Sequence, residues 1–286
     1  MILKPMMIFS YIKRMGLLFF LSISLFGSPS REGDEGAFSR IAEDLRKNPM
    51  NRLELLKSAR FKRDCSFCFE LAHLPRKGKE VVFSGVLFLS ENSLLIKIEP
   101  KNETSSSIRI LCRMSEIPQT WVVESGKQKE LTAAELFSPI IKGQLFNPID
   151  LSRAFLLWKN PTYETFKRVK GRFAYLFLAD LPAELKKHGL LYEKVRIVID
   201  AHFSSLLQAT YLSSKKEELR DFSILSFKRV DDEWIPKGIE VFDKKTHDKS
   251  RLIITSAAMN LQLDKAFFSP ENLTKPFPST PSYRNL

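Results

Sequence analysis

Residues 81–89 read Val-Val-Phe-Ser-Gly-Val-Leu-Phe-Leu, and this stretch decides the fold class. Side chains alternate between two faces in a β-strand, and here both faces are apolar. One face carries Phe83, Gly85, Leu87 and Leu89. The other carries Val82, Val86 and Phe88. A strand that is apolar on both sides predicts a sheet that is covered on both faces or that lines an apolar hollow.

Similar strand patterns surround this stretch and are separated by turn residues. They lie near 62–72, 93–99, 106–113 and 119–124, and again at 171–178, 194–200, 206–212, 219–230, 233–243 and 250–261. Short strands joined by tight turns predict an antiparallel meander, here of about ten strands. Short helices are expected as well: an amphipathic helix carrying Phe38, Ile41 and Leu45, a second from Arg52 to Ala59, and a third from Leu151 to Trp158 with Asp150 as its N-cap. Thr132 and Glu135 have the spacing of a capping box, and a further short helix is expected after Pro182.

The N-terminus has the pattern of a secretory signal. Lys4, Lys13 and Arg14 precede a short apolar run at 16–26, and small residues follow it. This predicts a signal peptide over 1–28 and export to the periplasm, with a retained N-terminal anchor as the alternative. Residues 29–37 are expected to be a flexible lead-in, and the proline-containing residues 275–286 a disordered tail.

The net charge of +12 leaves three interpretations open: a solvated basic surface, an anionic lipid surface or nucleic acid. The sequence shows none of the common nucleic-acid-binding motifs, so no nucleic-acid partner is expected. Phosphate-binding glycine loops, hydrolase nucleophile motifs and zinc-ligand clusters are also missing from the sequence. We therefore expect no enzyme activity, no cofactor and no metal.

Three cysteines remain to be explained. Cys65 and Cys68 form a C-x-x-C pair, but strand-like residues lie on both sides of it, whereas a thioredoxin-type pair precedes a helix. Redox catalysis is therefore disfavoured. A structural disulfide, perhaps to Cys112, and free core thiols are the other interpretations, and an odd count leaves one thiol unpaired within a monomer.

The order of the later strands resembles the bacterial outer membrane lipoprotein-sorting proteins, whose fold is like that of the carriers LolA and LolB. The resemblance rests on residues 194–201, 206–211, 222–230, 233–237, 250–254 and 263–273, supported by 83–89 and 150–158. It implies one domain over 38–274, an α+β fold that is mainly β. The expected architecture is a curved antiparallel sheet forming an unclosed β-barrel of about eleven strands, covered by short helices that enclose an apolar cavity.

The resemblance also implies a periplasmic carrier, acting as a monomer, that binds acyl chains of a lipoprotein or lipid. It would move them towards the outer membrane and meet membrane proteins at the donor and acceptor membranes. A non-catalytic envelope scaffold with the same fold is the alternative. Lys97 is expected to replace the arginine that latches the lid in such carriers. The expected ligand-binding side chains are Phe83, Leu87, Leu89, Ile96, Ile98, Ile110 and Trp121 on one sheet face, with Phe38, Ile41 and Leu45 on a covering helix.

Overall fold

An antiparallel sheet of 14 strands organises the chain. The computed structural model describes residues 48–58, 63–101 and 107–286. The signal peptide expected over 1–28, the lead-in over 29–37 and the helix carrying Phe38, Ile41 and Leu45 lie outside the described residues. Within the described ranges, no helix has the length and apolar character needed to span a bilayer.

The strands occupy nearly all of the predicted segments. They are β1 (Asp64–Leu74), β2 (Val81–Ser90), β3 (Ser93–Pro100), β4 (Ile108–Arg113), β5 (Gln119–Glu124), β6 (Lys127–Glu130), β7 (Thr162–Val169), β8 (Arg172–Asp180), β9 (Lys194–Asp200), β10 (Leu206–Leu212), β11 (Glu218–Val230), β12 (Glu233–Asp243), β13 (Lys249–Leu261) and β14 (Arg284–Asn285). The helices are α1 (Pro49–Ser58), α2 (Pro148–Ser152) and α3 (Ala183–Lys186).

The order of strands across the sheet confirms an unclosed, curved antiparallel barrel. It runs β6-β5-β4-β3-β2-β1-β13-β12-β11-β10-β9-β8-β7, and β14 adds to β13. The strand count exceeds the expected eleven because β6 and β7 carry mostly exposed polar side chains and β14 is very short. Such segments give no apolar alternation for a sequence pattern to detect.

Strands β1 to β5 form a half-sheet whose two faces are covered by different parts of the chain. On one face lies the lid, residues 133–158, which comprises a 3₁₀ turn (Ala133–Phe137), α2 and a second 3₁₀ turn (Ala154–Leu156). On the other lies the C-terminal segment, residues 263–286, which packs on Phe88, Leu95 and Trp121. The apolar character of both faces of residues 81–89 is thereby explained.

Gly85 is required where it stands. A Cβ atom there would lie 2.7 Å from the carbonyl oxygen of Lys97 and would collide with the ring of Phe69. The missing side chain lets the Phe69 ring approach the backbone of β2 closely on the lid face. Glycine inside a strand often marks such a close approach.

Residues 275–286, expected to be disordered, are instead packed against the sheet. Phe277 makes an edge contact with Phe88, with ring centroids 5.6 Å apart. The hydroxyls of Tyr283 and Ser66 lie 2.7 Å apart, and β14 pairs with β13. Closely spaced prolines favour disorder, and this prediction is wrong here because the segment adds apolar rings to an apolar sheet face.

Candidate functional site

An apolar pocket lies between the lid and the sheet. Its volume is about 20 Å³, which is close to the space that one water molecule needs. The sheet contributes Phe69, Leu71, Ile96, Ile98, Ile110 and Leu252, and the lid contributes Ile140, Ile141, Gln144, Phe146 and Leu151. The lid is therefore closed, and its side chains fill nearly all of the space above the apolar floor that the sheet provides.

The structure brings together most of the predicted residues on this floor. Ile96, Ile98 and Ile110 line the pocket directly. The strand register places Leu87 opposite Ile96, so Leu87 shares their face. Phe83, four residues before it, and Leu89, two residues after it, lie on the same face of β2. Phe83 is buried, whereas Leu87 and Leu89 are half-buried. These three extend the apolar floor beyond the pocket.

Trp121 is on the wrong face for this site. It pairs with Leu111 across β4 and β5, and it packs with Leu95 and Phe88 beneath the C-terminal segment. The face that a strand residue occupies depends on the pairing register, and a shift of one residue exchanges the faces. The sequence does not define that register for β5, and this is why Trp121 was assigned to the lid face.

Lys97 is not the lid latch. It lies on the face opposite the lid, because it pairs with Val86 and Arg109 rather than with the floor residues. Its ammonium group is 2.6 Å from Glu99 Oε1. The prediction followed the sequence position of the arginine in related carriers, and it failed because that position faces the C-terminal segment here.

The lid is held instead by a buried ion pair between Arg220 on β11 and Asp150 in α2. Arg220 is 4% exposed and Asp150 1% exposed. The guanidinium donates to Asp150 Oδ2 and to the carbonyl oxygen of Leu145, so it contacts the lid at two points. Tyr211 Oη donates to Asp150 Oδ1 at 3.0 Å. Removing one member of a buried pair of this kind costs about 3–5 kcal/mol, because the other charge is left uncompensated.

Asp150 also closes the first turn of α2. Asn147 is the N-cap, with its Oδ1 accepting from the Asp150 amide at 2.9 Å, and Asp150 Oδ2 accepts from the Asn147 amide at 3.2 Å. The predicted N-cap at Asp150 is thus wrong by three residues. Pro148 at the first helical position favours the earlier start, since proline needs no amide partner there.

The same end of the lid rests on aromatic rings. Phe137 and Phe155 of the lid meet Tyr211 of β10 nearly edge-on, with centroids 6.4 and 6.2 Å apart. Phe155 also contacts Phe222 on β11 at 5.7 Å. The lid is therefore anchored over β10 and β11, while its segment 140–146 lies over the pocket.

Gln144 is the unusual member of the pocket lining. Its side chain is 3% exposed, and neither Oε1 nor Nε2 has a hydrogen-bond partner. A buried amide left unpaired costs about 1–3 kcal/mol, so it persists in proteins mainly where something else needs it. It offers one donor and one acceptor to whatever occupies the pocket.

The cysteines form no disulfide. All three are free thiols, so the proposed bridge to Cys112 is wrong. Cys65 and Cys112 share the lid face but are separated by β2 and β3, a distance of about 14 Å at the usual strand spacing. A disulfide needs Cα atoms closer than about 7 Å. Cys65 and Cys68 point to opposite faces of β1, which also excludes a bridge within the C-x-x-C pair.

Burial makes the two core thiols poor nucleophiles. It raises the pKa of the Cys112 thiol to about 11, with hydrogen bonds from Thr120 and Ser152 opposing the shift. It raises the pKa of Cys65 further, and the nearby carboxylate of Asp64 adds to the effect. Among the described residues, no cluster of three or more His, Cys, Asp or Glu side chains could hold a metal ion.

Several pocket residues gave no usable signal in the sequence. Phe69 and Leu71 alternate along β1 and could have been assigned to the floor once its partner strands were known. The lid residues Ile140, Ile141 and Gln144 lie in a stretch that has no period of either kind. Arg220 gave no distinct hint of the ion pair, because the same strand also carries Glu218, Asp221, Lys228 and Arg229.

A family model described only as an uncharacterized protein matches residues 143–275, somewhat less than half of the chain. No curated protein sequence matches the chain.

Solved structures give a clearer result. A domain from Vibrio parahaemolyticus that is named for outer membrane lipoprotein sorting superposes with a TM-score of 0.67 at 14% identity, covering 80% of this chain and 100% of that one. A LolA superfamily protein from Nitrosomonas europaea gives 0.62 at 17%, covering 79% and 99%. A DUF1329 family protein from Desulfovibrio piger gives 0.63 at 11%, covering 82% and 98%. The chain therefore has the fold of the LolA superfamily and of the outer membrane lipoprotein-sorting domains.

Proposed function

We propose that this protein is a periplasmic carrier that binds the acyl chain of a lipoprotein or lipid beneath the lid and moves it towards the outer membrane. The observation that carries the proposal is the lid pocket, whose lining is apolar apart from one unpaired amide. The shared fold supports it. The carrier would act without covalent chemistry, as a monomer that meets partner proteins at the donor and acceptor membranes.

A pocket of about 20 Å³ is too small for an acyl chain, so binding requires the lid to open. The driving force is sufficient in principle, because each buried methylene contributes about 0.8 kcal/mol. A dozen methylenes would contribute on the order of 10 kcal/mol, which exceeds the cost of separating a few lid side chains from the floor. Residues 140–144 are the part that would lift, since Arg220 holds both Leu145 and Asp150 and the aromatic rings anchor the rest of the lid.

Gln144 suggests which part of the ligand lies under the lid. Acyl chains of lipids and lipoproteins are joined through ester or amide groups, and these carry carbonyl oxygens. The Gln144 Nε2 group could donate to such a carbonyl, and Oε1 could accept from an amide N–H. The ligand would then satisfy an amide that the closed protein leaves unpaired.

The test is native mass spectrometry of the protein purified from its own envelope, followed by identification of any lipid that is released. We expect a stoichiometric acylated species. Ile140→Asp should remove it, because a carboxylate at this half-buried lid position faces the pocket. The matched control is Leu225→Asp, a similar change at a position on β11 that is 45% exposed and is not part of the pocket.

A clean mass for the unliganded protein, together with no binding of a fluorescent fatty acid, would contradict the carrier proposal. The alternative is then a non-catalytic envelope scaffold. One observation favours it: the lid already nearly fills the space above the floor, as expected of a protein that never opens. Cross-linking in the envelope would give a stable protein partner for a scaffold and transient ones for a carrier.

A further inference from the structure

The loops at one end of the sheet form a continuous cationic surface, which we call the cationic end. They are residues 75–80, 244–248, 213–217 and 181–193. Hydrogen bonds tie these loops to one another or to the ends of neighbouring strands. The Arg76 amide donates to Asp248 Oδ1 at 2.8 Å, the Lys244 amide to the Leu219 carbonyl at 2.9 Å, and the Glu193 amide to the Leu212 carbonyl at 2.8 Å.

Most of the lysines on these loops point into solvent without a counterion. Lysines engaged in ion pairs at this end include Lys244, which is 2.7 Å from Asp221, and Lys194 and Lys186, which are 2.7 and 3.9 Å from Asp180. In the described part of the chain, the exposed loop lysines that make no ion pair are Lys77, Lys79, Lys187, Lys215, Lys216 and Lys245.

The opposite end of the sheet differs in charge. Its turns carry Glu91, Asp231 and Asp232, and the cations close to them are neutralised. Lys265 is 2.6 Å from Glu91, Arg229 is 3.0 Å from Asp232, and Arg284 is 2.9 Å from Asp231. The four connections of the cationic end carry nine Lys and Arg against five Asp and Glu, whereas the turns at the opposite end (91–92, 114–118, 170–171, 201–205 and 231–232) carry one Lys against four Asp and Glu.

The cationic end also presents an exposed aliphatic side chain. Leu191 is 78% exposed and follows Lys187 and His188 in the same loop. An isolated exposed leucine needs no explanation, but one that projects among unpaired lysines makes the surface amphipathic.

The lid pocket is displaced towards the same end. Leu71 lies near the end of β1, Leu252 near the beginning of β13 and Ile98 near the end of β3, and these strand termini all border the cationic end. A ligand that leaves the pocket by the shorter route along the floor would emerge between the cationic loops.

We propose that the cationic end docks on the surface of an anionic phospholipid bilayer. The lysines would bind headgroup phosphates, and Leu191 would enter the boundary between headgroups and acyl chains. The role of this contact in passing an acyl chain between pocket and membrane rests on the proposed function. The exposed apolar group favours a bilayer over nucleic acid, since leucine cannot stack on bases as aromatic side chains do.

Vesicle co-sedimentation tests the proposal, using protein recovered from the envelope as the cell processes it. The vesicles contain phosphatidylglycerol and phosphatidylcholine, and pure phosphatidylcholine is the comparison. We expect Lys77→Glu/Lys215→Glu/Lys245→Glu to weaken binding to the anionic vesicles by at least about tenfold, because each lysine near an anionic surface contributes to attraction. Leu191→Ser should weaken it by about threefold.

The matched control reverses three exposed cations away from this end, Arg63→Glu/Lys167→Glu/Lys228→Glu, so that net charge changes equally. On a logarithmic scale, this control should lose less than half as much vesicle affinity as the triple variant of the cationic end. An equal loss in the two triple variants would overturn the proposal. So would tighter binding of wild-type protein to single-stranded DNA than to the anionic vesicles, with the same lysines required.

The outcome is separable from that of the carrier proposal. A fluorescent fatty acid should bind the triple lysine variant as it binds the wild type, because the pocket is unchanged. Loss of vesicle binding with intact fatty-acid binding supports the docking surface. Vesicle binding without any fatty-acid binding would leave a membrane-associated scaffold and contradict the carrier alone.

Discussion

The two covers of the half-sheet β1 to β5 differ in how well they fit it. The C-terminal segment fills its face with apolar side chains, among them Phe268 and Leu273, which are buried with Phe88. The lid leaves a small pocket above its face and buries an unpaired Gln144 there. Both covers bury an apolar face of the sheet, but only the lid places beside it a polar group that the fold itself does not satisfy.

This difference indicates that the C-terminal segment is a fixed part of the fold and that the lid is the cover able to move. Tight apolar packing stabilises through many small contacts and is lost only on unfolding. The lid instead depends on an anchor at one side, formed by Arg220 and Asp150, and on an imperfect fit at the other. A hinged cover of this kind can open without loss of the sheet.

The largest effect is expected from breaking the lid anchor. Asp150→Asn should lower the free energy of unfolding by about 3–5 kcal/mol, because the buried Arg220 charge loses its counterion. Urea denaturation followed by circular dichroism measures this. The double variant Asp150→Leu/Arg220→Met should recover a large part of the loss, since no buried charge remains. A loss below about 1 kcal/mol in Asp150→Asn would show that the pair does not hold the lid.

A pair of core truncations compares the two covers directly. Leu273→Ala and Ile141→Ala should each cost about 2–4 kcal/mol, because Leu273 is 2% exposed and Ile141 5% exposed. Only Ile141→Ala enlarges the lid pocket, so it should change fluorescent fatty-acid binding, while Leu273→Ala should not. Equal changes in ligand binding would contradict the assignment of the two covers.

Gln144→Leu should separate stability from function. Replacing the unpaired amide by an apolar side chain of similar size should raise the free energy of unfolding by about 1 kcal/mol, since the penalty of a buried unpaired amide disappears. Affinity for an ester- or amide-linked acyl ligand should fall at least about threefold in an equilibrium titration, because one hydrogen bond is lost. Gln144→Glu is a useful comparison, since a carboxylate cannot donate.

The smallest effect concerns the thiols. At pH 8 in native protein, iodoacetamide should react with the half-buried Cys68 and leave Cys65 and Cys112 unmodified. Burial raises the pKa of Cys65 and Cys112, so both remain protonated, and the thiol form is unreactive. Peptide mass mapping before and after unfolding distinguishes the sites. Fatty-acid binding should be unchanged by this labelling, whereas rapid native labelling of Cys65 would contradict the buried placement.

Much of the fold follows from local sequence patterns. The alternation in residues 81–89 and the apolar run at 194–200 define strands because side chains alternate across a strand whatever surrounds it. The double-sided apolar character of β2 required covers on both faces, and both are present. The predicted second helix, from Arg52 to Ala59, corresponds to α1 within a few residues. For the same reason, the alternation predicts that Ile96, Ile98 and Ile110 lie on an apolar face.

The tertiary structure decided which residues meet across the sheet and across the lid. Trp121 and Lys97 were misplaced because the face of a strand residue depends on pairing register, which long-range packing sets. Arg220 and Asp150 are 70 residues apart, and no local pattern connects them. A polar residue such as Gln144 would be expected at the surface, yet it is buried in the apolar pocket beneath the lid. Sequence determines local periodicity, whereas burial and partnership depend on contacts between distant segments that only the folded chain brings together.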